Sequence, residues 1–327
     1  MKFDEHILDG RLLSDLVFGD LGLEIIKFFQ SFSSPFLDTI FLVITSLGNA
    51  FFYILIVSLV YWLHSKKIAI HMASMLVISS FISDLIKNFF GWPRPYVSHP
   101  DQVKTISTES SYSFTSGHSI STGTFWPSLY YYFKESEYNL GLLILSIVFL
   151  ILVPISRLYL GVHYPSDVIF GVLLGFLVVF LYIRFSPTIF DKTKDLSLTN
   201  LTILVLVSGC IMILLDFSVI ALTGHDQNIE DAGQMGAIFT GALLGFLLEQ
   251  KFINFPNPER KLFYITRPII GIILIAAGYL LPTLILGSDQ LEMTIIRHIT
   301  RYFLIGLIAS FLTPYIFTKM ENTISKR

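Results

Sequence analysis

The chain has 327 residues, of which 53% are hydrophobic and 14% charged, and its mean hydropathy is +0.69. That balance excludes an ordinary soluble domain, and a net charge of -2 without a lysine or arginine block argues against a nucleic-acid partner. With Cys210 as its one cysteine, the chain forms no intrachain disulfide. Apolar runs long enough to cross a hydrocarbon core recur throughout, which predicts an all-α, polytopic transmembrane helix bundle.

The opening MKFDEHILDGRLLSD is acidic and lacks a charged-then-apolar signal peptide, so the first true span is expected to direct insertion. Next, LGLEIIKFFQSF has the spacing of an amphipathic helix, and residues 1–35 read as an interfacial segment. Hydropathy and helix breakers then predict nine spans: 36–63, 68–90, 116–133, 139–157, 165–185, 200–222, 234–250, 264–286 and 296–318. The first run is long and broken at Gly48-Asn49, so 36–48 is alternatively interfacial or re-entrant.

Positive residues cluster in alternate loops: Lys66 and Lys67, Lys134, Arg184 with Lys192 and Lys194, Lys251 with Arg260 and Lys261, and Lys319 with Lys326 and Arg327. The positive-inside rule makes those loops cytoplasmic. The opposite face carries the long loop 91–115, the turn at 157–165, and the stretches 223–234 and 287–293.

Three polar motifs fall on that second face. KNFFGWPRP (87–95) brings Lys87 and Arg94, SFTSGHS (113–119) brings Ser116, Gly117 and His118, and SRLYLGVHYPSD (156–167) brings Arg157, His163 and Asp167. Breaking a phosphate ester needs cations for the phosphoryl oxygens, an in-line nucleophile and an acid for the leaving oxygen. Lys87, Arg94 and Arg157 supply the cations, and arginine forks hold two oxygens each. Ser116 and the amides of Gly117 and His118 open a helix, where free N–H groups face an anion. Pro165 suits a helix's first turn, which sets Asp167 about one turn in and His163 just before it. A carboxylate there accepts the histidine Nδ1 proton and leaves Nε2 to attack phosphorus, with His118 available to protonate the leaving alkoxide.

The ordered triple resembles the signature of the type 2 phosphatidic acid phosphatase superfamily, K-x6-RP, PSGH and SR-x5-H-x3-D, which is related to vanadium haloperoxidases. Every spacing matches, with Thr115 standing where the pattern has proline, a residue that can also cap a helix. The resemblance covers roughly residues 36–190. It implies a six-helix-type phosphatase core with about four additional C-terminal spans, acting without metal or other cofactor through a phosphohistidine intermediate. It further implies His163 as nucleophile, Asp167 as its orienter, His118 as acid, and Lys87, Arg94, Ser116, Gly117 and Arg157 as phosphate binders.

The expected function is hydrolysis of lipid phosphate monoesters or diphosphates by an integral, multi-pass protein of the plasma (inner) membrane. Its active site would lie on the non-cytoplasmic face. Alternatives are a lipid phosphotransferase and a non-catalytic transporter or binder of phosphorylated lipids, although a transporter usually sets ionisable groups near mid-membrane. Residues 191–327 show no catalytic motif and read as a transmembrane extension. The expected partners are the lipid phosphate substrate and membrane lipids, and the pairs Gly171/Gly175 and Gly241/Gly245 allow close helix approach within the bundle or a homo-oligomer. His225, Asp226, Glu230 and Asp231 lack metal-ligand spacing and read as a solvated loop.

Overall fold

The computed structural model describes residues 20–287 and 290–325. The acidic opening at 1–15 and most of the interfacial segment therefore lie outside the described residues. Twelve helices carry the described chain: α1 (Asp20–Gln30), α2 (Pro35–Ser46), α3 (Ala50–Leu63), α4 (Lys66–Phe90), α5 (Gly117–Phe133), α6 (Asn139–Tyr159), α7 (Pro165–Thr193), α8 (Leu198–Thr223), α9 (Gln234–Phe252), α10 (Phe263–Ile285), α11 (Leu291–Leu307) and α12 (Thr313–Ser325). Single turns occur at Pro95–Ser98 and Ile229–Asp231, and a π-helical turn at Ile308–Leu312 joins α11 to α12. No strand occurs among the described residues, so the all-α reading stands.

The span count needs correction. Among the described residues seven helical segments are long and apolar enough to cross a membrane, or eight if α1 and α2, bent by 115°, form one broken span; the expected number was nine. The run 36–63 is two helices. After α2, Leu47 N–H returns to the Ile44 and Thr45 carbonyls, and Asn49 Oδ1 accepts Phe51 N–H at 3.2 Å to start α3 afresh. At 14 residues α3 is too short to span alone. The predicted 116–133 span is the 17-residue α5, roughly 25 Å long against a hydrocarbon core of about 30 Å. It carries Ser119, Ser121, Thr122 and Thr124, and three of these four are buried against protein.

The described residues form two compact units, neither contiguous in sequence. One contains the described part of 1–53 together with 78–184 and 219–228; the other contains 54–77, 185–218 and the described part of 229–327.

All three motifs belong to the first unit. Within it, α5 and α6 lie side by side and antiparallel. Trp126 stacks on Phe149 with ring centroids 4.4 Å apart, so the amino end of α5 and the carboxyl end of α6 come together. Helix α7 packs against α5 through glycine: a Cβ at Gly171 would stand 2.9 Å from the Ser116 carbonyl oxygen, and one at Gly175 would stand 2.5 Å from that of Ile120. That pair is used for contact inside the chain.

The α1–α2 hairpin packs on the turn after α6. Phe41 stacks on Tyr159 at 4.0 Å, Tyr159 donates to Asp38 at 2.5 Å, and Gln30 bonds the backbone of Lys104 and Tyr159. Gly161 needs its positive φ of 72°, and a Cβ there would stand 2.7 Å from Gln30 Nε2. The end of α8 also belongs to this unit. Thr223 and His225 both bond the Asn88 carbonyl at 3.0 Å, and the His225 ring covers Gly91 so closely that no side chain fits there. His225 thus packs on the first motif and is not a solvated loop residue, whereas Asp226 and Glu230 are exposed.

The second unit has its own apolar core, around Tyr61, Trp62, Ile238, Phe255, Ile305 and Phe317. Its buried Glu249 pairs with Lys66 at 3.1 Å, and buried Arg267 holds Glu321 with two bonds of 2.7 and 2.8 Å. Gly241 and Gly245 meet Phe303 and Ser310 in the same unit, so this pair also serves an internal contact.

Candidate active site

The third motif is fixed by the start of α7. Pro165 is the first helical residue, its missing N–H costing nothing there, and Asp167 in the first turn reaches back to accept Tyr164 N–H at 2.9 Å. The carboxylate oxygen that caps the helix, Oδ2, also accepts from His163 Nδ1 at 3.2 Å and from Ser113 Oγ at 2.5 Å. The other ring nitrogen, Nε2, lies 3.0 Å from Arg94 Nη1. A guanidinium only donates, so Nε2 is the acceptor and the ring proton sits on Nδ1, facing Asp167. Burial, followed by Arg94, Arg157 and Lys87, pushes the His163 imidazole well below its ordinary value and keeps it neutral.

The cations are buried and each is held. Arg94 lies just past the Trp92-Pro93 turn; its Nε and Nη2 donate to the Ser111 carbonyl at 2.6 Å and the Ser111 hydroxyl at 2.8 Å, and Nη1 also reaches the Val162 carbonyl at 2.9 Å. Lys87, in the last turn of α4, donates to the same Ser111 hydroxyl at 2.9 Å. Its Nζ would stand 3.9 Å from a Cβ at Gly117, which sets the ammonium over the first residue of α5. Arg157, in the last turn of α6, donates to Thr45 Oγ1 at 2.6 Å and through Nη2 to Glu109 Oε1, while its Nε is buried with no hydrogen-bond partner.

The second motif supplies the helix end. Ser116 is the N-cap of α5, accepting from Ser119 N–H at 3.3 Å. The cap is therefore Ser116 and not the preceding Thr115, whose hydroxyl instead meets Ser83 at 3.2 Å. Ser116 N–H donates to the Asp167 carbonyl at 3.1 Å, tying the amino ends of α5 and α7 together. His118, half-buried in the first turn, lies under the α2–α3 break, where a Cβ at Gly48 would stand 3.1 Å from its ring.

The structure thus brings Lys87, Arg94, Ser116, Gly117, His163 and Asp167 into one connected group, with Arg157 and His118 sharing Glu109 as a facing charge. Four participants lie outside the residues that the pattern assigns to the site: Thr45, Glu109, Ser111 and Ser113. Three of them lie in the polar stretch TESSYS (108–113), where one serine is indistinguishable from the next without the fold. Burial alone would raise the Glu109 carboxyl, but Arg157, Arg94 and His118 bring it down to about 2. Among the described residues, no group of three His, Cys, Asp or Glu side chains is arranged to hold a metal ion.

Residues 68–191 match the family model of the PAP2 superfamily, and residues 233–326 match that of the transmembrane extension of PAP2 superfamily phosphatases. The two matches together take in most of the chain, and all three motifs fall inside the first. The chain carries a PAP2 superfamily domain followed by the PAP2 transmembrane extension.

It is 28% identical over 187 residues to a "Probable sphingosine-1-phosphate phosphatase" of Dictyostelium discoideum, covering 53% of this chain and 44% of that protein. It is 40% identical over 86 residues to "Phosphatidylglycerophosphatase B" of Bacillus subtilis, covering 25% of this chain and 42% of that one. The matched part thus spans about two-fifths of the length of each of these curated relatives. Among solved structures, a transmembrane PAP2 type phosphatidylglycerolphosphate phosphatase from Bacillus subtilis is 27% identical, with a TM-score of 0.48 over 56% of this chain and 92% of that one.

Proposed function

We propose that the protein is a lipid phosphate phosphatase that transfers the phosphoryl group to His163 and then to water, without a metal. The observation that carries this reading is the neutral His163, its Nδ1 proton held by Asp167 and its Nε2 lone pair turned toward the buried cations at the amino end of α5.

A phosphoryl group bound by Lys87, Arg94, Arg157, Ser116 and the Gly117 and His118 amides would accept from N–H donors now satisfied by Ser111 and Glu109. The idle Arg157 Nε is a further donor for it. Nε2 attacks phosphorus as the ester P–O bond breaks, and the leaving alkoxide takes the His118 proton. Water then attacks the phosphohistidine, giving its proton to His118, and inorganic phosphate departs with His163 restored. Three fixed cations and a helix end balance the charge that develops on the equatorial oxygens.

The relatives named above act on lipid phosphates, which supports that substrate class here; phosphatidic acid, phosphatidylglycerol phosphate, a polyprenyl diphosphate and a sphingoid-base phosphate are the candidates. The purified protein should release phosphate from one or more of these in detergent, at a rate unchanged by a divalent-metal chelator. Loss of activity in chelator, regained with added divalent ion, would remove the metal-free mechanism. Product phosphate appearing on an added alcohol in place of water would make the enzyme a phosphotransferase, and tight binding without turnover would make it a transporter or binder.

The chemistry is assigned to residues 36–190, and residues 191–327 form a transmembrane extension. The reading also sets the site on the non-cytoplasmic face of the plasma (inner) membrane, the face opposite the lysine-rich loops. Single cysteines at exposed positions Thr108 and Glu137, in a Cys210→Ser background, test this in intact cells. An impermeant maleimide should label position 108 and spare 137; the reverse pattern would turn the enzyme over.

A further inference from the structure

We propose that Glu109 is a displaceable counter-anion: in the resting site its carboxylate occupies the seat on Arg157 that a substrate phosphoryl oxygen takes, and its return helps expel product phosphate. The inference rests on the phosphate-binding part of the function proposed above.

Arg157 is fully buried, and a guanidinium left uncompensated there would be strongly destabilising. Before substrate arrives the compensation comes from Glu109, which meets Arg157 Nη2, while Thr45 holds Nη1 at 2.6 Å. The two partners differ in freedom: the Arg157 side chain is 1% exposed and the Glu109 side chain 29%. The arginine is the fixed element and the carboxylate the one with room to leave.

The neighbouring loop residues repeat this pattern. The Ser111 hydroxyl engages both Lys87 and Arg94, so TESSYS (108–113) offers one oxygen ligand or more to every cation assigned to phosphate. The loop is pinned beside this contact by Tyr96, whose hydroxyl accepts from Glu109 N–H and donates to the Glu109 carbonyl, both at 3.2 Å. The exchange is therefore a side-chain rotation about a held backbone.

A phosphomonoester brings close to two negative charges at neutral pH, and it cannot share Arg157 with a second anion in a buried setting without strong repulsion. Glu109 has to move. After hydrolysis the same competition works in reverse: the tethered carboxylate, present at high effective concentration, recaptures Arg157 and weakens the hold on inorganic phosphate.

The test is the affinity of the full-length protein in detergent for inorganic phosphate, by calorimetry and as a product-inhibition constant. Glu109→Gln keeps the side chain's shape and removes its charge, and phosphate should bind at least about tenfold more tightly. Glu109→Ala, which removes the carboxylate altogether, should tighten binding as well. In an Arg157→Gln background the Glu109→Gln change should have no effect on phosphate affinity. Unchanged or weaker binding in the single variants overturns the proposal and makes Glu109 a support for Arg157, as does a tightening that persists without Arg157.

Calorimetry needs no turnover, so tighter binding in a protein that hydrolyses nothing would reject the phosphatase reading alone. An active wild type with unchanged affinity in Glu109→Gln would reject only the counter-anion. Failure of both wild type and variants to bind phosphate would reject both.

Discussion

With His163 replaced by alanine, phosphate release falls to background, a loss on the order of 10^4-fold or more, because no other group can form the covalent intermediate. The alternative nucleophile would be water attacking directly, with His118 as base, but His118 then lacks its role as acid for the leaving alkoxide. Truncation leaves Arg94 with its bonds to Ser111 and Val162 and leaves Lys87 on Ser111, so the phosphate seat survives. The variant should therefore still bind inorganic phosphate. Binding retained with turnover lost is the signature of a missing nucleophile; loss of both would report a collapsed site.

Asp167→Asn should lower turnover by roughly 10^3 to 10^4-fold, the scale associated with losing the carboxylate that stabilises the histidine's imidazolium form. One carboxylate oxygen here accepts three donors: His163 Nδ1, Ser113 Oγ and Tyr164 N–H. An asparagine oxygen in that place can still accept all three, but it is neutral and cannot stabilise the imidazolium charge that develops as Nε2 attacks phosphorus. The folding cost should stay near 1 kcal/mol, as for a weakened cap. The rate in a folded Asp167→Asn protein, measured beside a thermal melt, checks both; a rate within tenfold of wild type would mean that another group orients His163.

The helical class, the order of the motifs and the opening of α5 and α7 were legible because each has a local cause. Hydropathy marks spans, the run Ser116-Gly117-His118 marks the opening of a helix, and Pro165 with Asp167 marks a first turn. Span number was less legible: a run of apolar residues does not show that Gly48-Asn49 restarts the helix, nor that α5 is short and lined with buried hydroxyls. The motif residues were found because their spacing repeats a family pattern. Glu109, Ser111, Ser113 and Thr45 were not, because they meet the motifs through tertiary contacts 17 to 112 residues away in sequence. Likewise, nothing in the loop at 223–228 announces that His225 covers Gly91; that contact exists only once α8 and α4 are folded.

The central claim is that phosphorus passes through His163. Purified protein mixed with lipid substrate labelled with 32P in the phosphoryl group, quenched within one turnover in alkali and digested, should yield a single labelled peptide spanning residues 156–167. Its label should sit on His163, survive alkali and be lost in acid, and it should be absent from His163→Ala. Label on another residue, or full turnover with no labelled protein at any time, would contradict the account.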